Sequence, residues 1–237
     1  MFLRLVKVSW FMFACLLAFF WRRIMKTSNQ DALLERDYLE WSRYVLKTFQ
    51  VNLSISGQEF IPVSGERRLI IMANHQSQLD IPSLVSTMNR RIGFVAKQEL
   101  QRIPVLGYFM IKIGCIFIDR SDGRGASQVL EKTAKEMGTD PLTIFPEGTR
   151  SKDGGFLPIK QGGCRLAILA DAIILPVLIQ GTRNAGESRV EVSKALIPAS
   201  LRFFPTLDTR DLGGGKGSYI KIKEYLEKCW QNPSVLT

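Results

Sequence analysis

The chain has 237 residues and a formal charge of +10, with 32 lysines and arginines against 22 aspartates and glutamates. That length holds one large domain or two small ones, 46% hydrophobic residues fill a substantial core, and the charge points to an anionic partner, leaving nucleic acid, an anionic membrane surface and phosphorylated small molecules open. Cys15, Cys115, Cys164 and Cys229 lie far apart with no CxxC pair, and His75 is the single histidine, which excludes a zinc set and leaves the cysteines as buried free thiols.

Residues 8–21 form an uncharged apolar run, VSWFMFACLLAFFW, with Arg4 and Lys7 before it and Arg22, Arg23 and Lys26 after it. A signal peptide fits poorly, because two arginines stand where a small-residue cleavage site belongs. Fourteen residues at about 1.5 Å each fall short of the roughly 30 Å hydrocarbon core. The preferred reading is a helix embedded in one leaflet, with its basic ends, Trp10 and Trp21 at the headgroups. A spanning helix that includes Arg4 and Lys7 is the alternative, and a buried core helix is the soluble one.

Ser28 and Asp31 have capping-box spacing. Leu34, Tyr38, Trp41, Val45 and Phe49 recur at helical intervals, and Arg43 and Lys47 stand late, where the helix dipole favours cations. A second, amphipathic helix is expected there. Residues 1–50 are thus read as a two-helix membrane-docking segment ahead of an α/β domain over 51–237.

Val51, Leu53 and Ile55 alternate with polar residues and predict a strand. Short apolar runs at 69–73, 92–96, 115–118, 142–145 and 173–179 read as buried strands. Helical patterns fall at 81–88, 105–113, 127–137 and 160–170. Strands alternating with helices predict an α/β fold with a mostly parallel central sheet flanked by helices. Val190, Val192 and 195–197 add a further strand or two, 198–217 reads as irregular, and 219–230 as a final helix. Residues 213–218, GGGKGS, look superficially like a phosphate loop, but they lack the GK[ST] ending and no strand leads into them; they are read as a loop.

Ligands of parallel sheets sit at the carboxyl ends of strands, and the polar clusters fall there. Asn74-His75-Gln76-Ser77-Gln78-Leu79-Asp80 follows the strand at 69–73. A histidine neutral near pH 7, with a carboxylate five residues on to orient it, has the makings of a general base. Asp80 also precedes Ile81-Pro82 and is equally placed to cap a helix with proline in its first turn. Asp119-Arg120 and Pro146-Glu147-Gly148-Thr149-Arg150-Ser151 follow two more strands. Gly148 permits close backbone approach, and Arg150 offers a planar fork for a phosphate. Lys97 and Lys160 end or begin neighbouring elements. Each cation taken singly is an ordinary solvated charge, and Asp119–Arg120 an ordinary ion pair. Several of them around one histidine describe a base beside a phosphate-binding cleft.

The stretches NHQSQLD, GCIFIDR, FPEGTRS and ILPV, in that order between residues 74 and 177, resemble the four sequence blocks of the glycerolipid acyltransferases, most of all those bacterial members that act on 1-acylglycerol-3-phosphate. Looser features, Lys97-Gln98-Glu99-Leu100, Ile103-Pro104 with Gly107, and Lys160 with Gly162-Gly163, lie between and after them. Residues 198–237 carry nothing diagnostic, and the N-terminal helical pair is similar to the family's membrane-docking element. The resemblance implies that His75 is the general base on the sn-2 hydroxyl of a lysophosphatidic acid and that Asp80 orients it. The oxygen would attack the thioester of acyl-CoA or acyl carrier protein without an acyl-enzyme, making phosphatidic acid. Arg120 and Arg150 would hold the acceptor phosphate, with Gly148 and Thr149 in the same turn. Glu147 would fix Arg150 or touch the glycerol backbone, and Lys97 and Lys160 would serve the phosphate pocket or the donor. Ser77, two residues from His75, is awkwardly placed as a nucleophile and is read as structural.

No bound cofactor or metal is implied, and the expected partner is a lipid bilayer, at the cytoplasmic face of the inner membrane. Another acceptor, glycerol-3-phosphate or a different lysophospholipid, and a transacylase using a phospholipid donor are alternatives within the family. A non-catalytic peripheral lipid-binding protein is the alternative of a different class, and it leaves an intact His–Asp pair unexplained. Nucleic acid is not expected, since no recognised binding module is visible.

Overall fold

The computed structural model describes residues 30–63, 65–104, 106–119, 121–187 and 196–232. The strands are β1 Val51–Ser56, β2 Leu69–Ala73, β3 Gly93–Lys97, β4 Ile116–Ile118, β5 Leu142–Ile144, β6 Ile173–Gln180, β7 Ile197–Phe203 and β8 Leu207–Asp208. The helices are α1 Gln30–Thr48, α2 Asp80–Met88, α3 Gln98–Gln101, α4 Leu106–Lys112, α5 Gly123–Glu136, α6 Gln161–Leu169, α7 Thr182–Glu187 and α8 Lys216–Gln231. The described residues fall into two compact units, one drawn from 30–54, 76–91 and 180–201, the other from 55–75, 92–179 and 202–232.

The second unit carries parallel strands in the order β6-β2-β5-β3-β4, with β8 antiparallel on β6. Ile70 of β2 lies between Ile174 of β6 and Leu142 of β5. All five residues of β2 are buried. This is why the strand reads as an unbroken apolar run: a parallel strand with both faces covered has no polar side to show. On one face, Ile70, Met72, Ile144 and Ile174 pack with Leu130 of α5, Leu166 of α6 and Leu226 of α8. Each such fully buried aliphatic side chain contributes about 1.5–3 kcal/mol. Cys164 and Cys229 lie in the same core, as expected of free thiols. Burial pushes the Cys229 thiol up to about 12 and that of Cys164 to about 11.

In the first unit, α1 packs on α2. The predicted stripe is its buried face: Leu34, Tyr38, Val45 and Phe49 are each less than 10% exposed. Val45 and Phe49 meet Leu79 and Ala185, with Trp41, Val51 and Ile197 around them. Outside this face, the Glu35 carboxylate accepts from Arg91 N (2.9 Å), and Arg43 donates to the Asn89 side chain (2.8 Å). The stripe is therefore core packing. The apolar run at 8–21 and its docking role lie outside the described residues. Among the described residues no helix is long and apolar enough to cross a membrane.

One segment departs from expectation. Residues 198–217, read as irregular, contain most of β7, all of β8 and a 3₁₀ turn at Thr209–Leu212. Pro198 hid the strand by removing a ladder donor near its start, yet Ala199, Leu201 and Phe203 alternate into the core behind it. The further strand expected near Val190 and Val192 lies outside the described residues. Gly213, Gly214 and Gly215 all have positive φ and form the turn before α8, whereas residues 216–218, read as part of the same loop, are the first residues of the helix.

Candidate active site

Because β2 to β6 of the second unit run parallel, their carboxyl ends share one edge. Asn74 closes β2 there. Its side-chain amide donates to Ile179 O (2.9 Å) and accepts from Ile179 N (2.7 Å), and the residue is 1% exposed. The amide thus continues the β2–β6 ladder after the β2 backbone has left it, which pins where His75 begins.

His75 is held on three sides. Its ring stacks on Phe145, centroids 3.9 Å apart at 14°, and Phe145 stacks in turn on Phe94. Its backbone N–H donates to Glu147 Oε1 (3.1 Å), and its carbonyl accepts from Ser151 N (2.9 Å). Glu147 is 2% exposed, and its other oxygen accepts from Leu157 N (3.2 Å). This carboxylate ties three loop segments together through backbone N–H groups.

Gly148 has φ +72°, and its N–H closes a turn to Phe145 O (3.0 Å). A Cβ there would lie 2.9 Å from Lys160 Nζ, so the lysine side chain lies directly over the turn. Lys160 N also donates to Pro146 O (2.9 Å). Thr149 and Arg150 continue the turn as exposed residues, and exposed Lys97 ends β3. Arg120 lies outside the described residues. Its neighbour Asp119, after β4, accepts from Ser121 Oγ (2.6 Å) and Ser121 N (2.8 Å). These bonds hold its carboxyl below the usual range. The second unit thus gathers His75, Glu147, Gly148 and Lys160, with Lys97, Thr149 and Arg150 on strand ends or turns of the same sheet.

Asp80, in the first unit, is fully buried. Its Oδ2 accepts from Gln76 N (2.7 Å) and Ser77 N (2.9 Å), and its Oδ1 from Thr182 Oγ1 (2.5 Å). The capping alternative fails on direction. These backbone donors precede Asp80 in the chain, the N-cap of α2 is Leu79, and no side chain caps it. Asp80 folds the 76–80 loop back upon itself. Ser77 is buried, and its hydroxyl accepts from Leu79 N (3.3 Å), a structural bond.

Sequence reasoning missed the parts played by Asn74, Phe145, Leu157 and Thr182. For Thr182 a signal existed: Gly181-Thr182 follows a long apolar strand, the same fold position as the other polar clusters. Among the described residues no three His, Cys, Asp or Glu side chains are grouped to hold a metal.

His75, bonded at both its backbone N–H and carbonyl, thus stands on the same sheet edge as the Gly148 turn and the Lys160 side chain that covers it, a candidate polar site. The sequence places it in a known class: the acyltransferase family model matches residues 52–180, more than half of the chain, and the chain belongs to the acyltransferase family. More particularly, a 1-acyl-sn-glycerol-3-phosphate acyltransferase of Helicobacter pylori is 40% identical over 129 residues, covering 53% of this chain and 54% of that protein. One of Limnanthes douglasii is 30% identical over 184 residues, 75% and 63% of the two chains. An uncharacterized acyltransferase of Schizosaccharomyces pombe is 39% identical over 115 residues, 47% and 41%. The chain spans about half the length of the curated relatives it matches. The crystal structure of the 1-acyl-sn-glycerophosphate acyltransferase PlsC from Thermotoga maritima aligns with a TM-score of 0.68 over 95% of both chains at 22% identity. That likeness is one of fold, an α/β domain whose mostly parallel central sheet is flanked by helices.

Proposed function

We propose that this protein transfers an acyl group from acyl-CoA or acyl carrier protein to the free sn-2 hydroxyl of 1-acylglycerol-3-phosphate, producing phosphatidic acid. The observation that carries the reading is the fixed His75, stacked on Phe145 and bonded through its backbone to Glu147 and Ser151, within the span that matches the acyltransferase family. His75 takes the proton of the hydroxyl as its oxygen attacks the thioester carbonyl. The tetrahedral intermediate collapses, the C–S bond breaks, and the proton passes to the departing thiolate. Asp80, joined to His75 by the short 76–79 loop, orients the imidazole and stabilises its protonated form. A positioned base of this kind contributes about 10²–10⁴-fold; proximity and stabilisation of the oxyanion supply the rest.

Arg150, with Arg120, holds the acceptor phosphate, and Lys160 and Lys97 add positive charge at the same sheet edge. Thr149 belongs to the same turn. Residues 1–50 dock the protein on the cytoplasmic face of the inner membrane, where net positive charge favours anionic lipid and substrate and product both reside.

The test is transfer from a radiolabelled acyl thioester by the purified full chain in lipid vesicles, with lysophosphatidate, glycerol-3-phosphate and lysophosphatidylcholine compared and His75→Ala beside the wild type. Turnover of lysophosphatidate that vanishes in His75→Ala is expected. Turnover of another acceptor alone replaces the substrate and keeps the base; wild-type rates in His75→Ala remove the base.

A further inference from the structure

The chain leaves β6 through Gly181, whose φ is +79°. A Cβ at this position would come within 2.4 Å of Pro198 O and 3.0 Å of Ala199 Cα, so the turn admits glycine alone. It delivers Thr182, the first residue of α7, into a fully buried position, with its hydroxyl 2.5 Å from Asp80 Oδ1. An ionised carboxylate only accepts, so the threonine hydroxyl is the donor.

The geometry of the three donors matters more than their number. Gln76 N and Ser77 N both reach Oδ2, so the two loop donors hold the same oxygen of a rigid, planar carboxylate. Thr182 bonds the second oxygen and so tightens, from the opposite side, the restraint on rotation of the whole carboxylate about Cβ–Cγ. Two of its neighbours come from the adjoining loop, but Thr182 lies 102 residues away in sequence, so the end of β6 sets the orientation of a group at the start of α2. A β-branched side chain suits the task, because its χ1 has few alternatives.

We infer that Thr182 is a positioning residue for acyl transfer: it acts through Asp80, which acts through His75. The inference rests on the His75–Asp80 dyad proposed above. A carboxylate has about four lone-pair directions. Gln76, Ser77 and Thr182 each take one, and the dyad assigns another, on Oδ1, to the imidazole N–H. Losing the Thr182 bond loosens the carboxylate on its Oδ1 side, the side the dyad assigns to the imidazole, and so widens the range of directions in which the imidazole is held. The cost falls on the chemical step rather than on substrate binding.

The experiment measures kcat, KM for both substrates and thermal midpoint in the full-length protein carrying Thr182→Val, which keeps the shape and removes the donor, and Thr182→Ser, which keeps the donor. Thr182→Ala carries the same expectation as valine, so a packing defect peculiar to valine does not decide the result. The loss of a hydrogen bond to a charged group corresponds to a fall in kcat of about ten- to a hundredfold, with each KM within about twofold. Thr182→Ser restores most of the rate. In an Asp80→Asn background, Thr182→Val produces no further loss, because the two act as one unit. Wild-type kcat in Thr182→Val, a serine variant as slow as valine, or full additivity with Asp80→Asn would each overturn the inference. Undiminished turnover in His75→Ala brings down the dyad itself. A dead His75→Ala beside an unaffected Thr182→Val brings down the role of Thr182 alone.

Discussion

Glu147→Gln separates a carboxylate that organises the loops from one that touches substrate. The replacement conserves shape, so no cavity opens. Glu147 Oε1 accepts from His75 N at 3.1 Å and Oε2 from Leu157 N at 3.2 Å. An amide retains one acceptor and turns the other into an NH₂ donor. Whichever way it flips, a donor faces a backbone N–H where the residue is 2% exposed. Losing a hydrogen bond to a charged group costs about 1.5–3 kcal/mol, and a buried donor left without a partner about 1–3 kcal/mol. The two losses overlap, and the neutral amide is easier to bury than the carboxylate, so a net cost of about 2–3 kcal/mol is expected. Urea denaturation measures it as a lower midpoint at unchanged slope. The His75 backbone relaxes with the lost bond, so kcat should fall together with stability. A substrate-contacting glutamate behaves oppositely: the acceptor KM rises while the midpoint holds or increases. A Glu147→Gln protein as stable as the wild type would refute the organising role.

Two further outcomes follow from the charges and thiols of the second unit. Asp208 accepts from Arg67 Nη1 and Nη2 and from Arg210 N and Nη2. The Arg67 guanidinium, foremost, holds its carboxyl well below the usual carboxylate range. A depressed folded pKa contributes stability that is present above the unfolded value of about 4 and lost as pH falls towards the folded one. Asp208→Asn should therefore lower the denaturation midpoint near pH 7, by about 1 kcal/mol after solvent screening, and the gap to wild type should close progressively below about pH 4; a gap that is constant with pH would contradict this. Burial pushes the Cys115 and Cys229 thiols up to about 12 and Cys164 up to about 11. In the native protein at pH 8, iodoacetamide should leave Cys115, Cys164 and Cys229 unmodified on peptide mapping, and should label all three in urea. Labelling of native Cys164 or Cys229 at the rate of a free thiol would show that their burial is not maintained in solution.

Much of this architecture is written locally. The runs at 69–73 and 173–179 are apolar throughout because their strands are covered on both faces, and a strand of that kind announces itself without reference to its partners. Strand–helix alternation then implies parallel pairing, and parallel pairing brings His75, Lys97 and the Glu147–Arg150 turn to one sheet edge. The stripe from Leu34 to Phe49 likewise foretold a buried helix face. Residue type and position along the strands were enough for all of this.

The choice of partners was not legible. Glu147 bonds to a backbone N–H 72 residues away, and Asp80 to a hydroxyl 102 residues away. A hydrogen-bonding side chain leaves no periodic trace in sequence, and many donors are chemically equivalent until folding selects one. The stacking of His75 on Phe145 depends in the same way on the register that sets β5 beside β2. Strand β7 was legible only at its first residue, Ile197, because the proline that follows removes a ladder donor, while the burial of Ala199, Leu201 and Phe203 that justifies the rest of the strand arises only from the core around it. By itself the sequence determined which residue types stand at the strand ends. The tertiary structure decided which atoms hold which, since hydrogen bonds act over about 3 Å and such distances between remote segments exist only once the chain has packed.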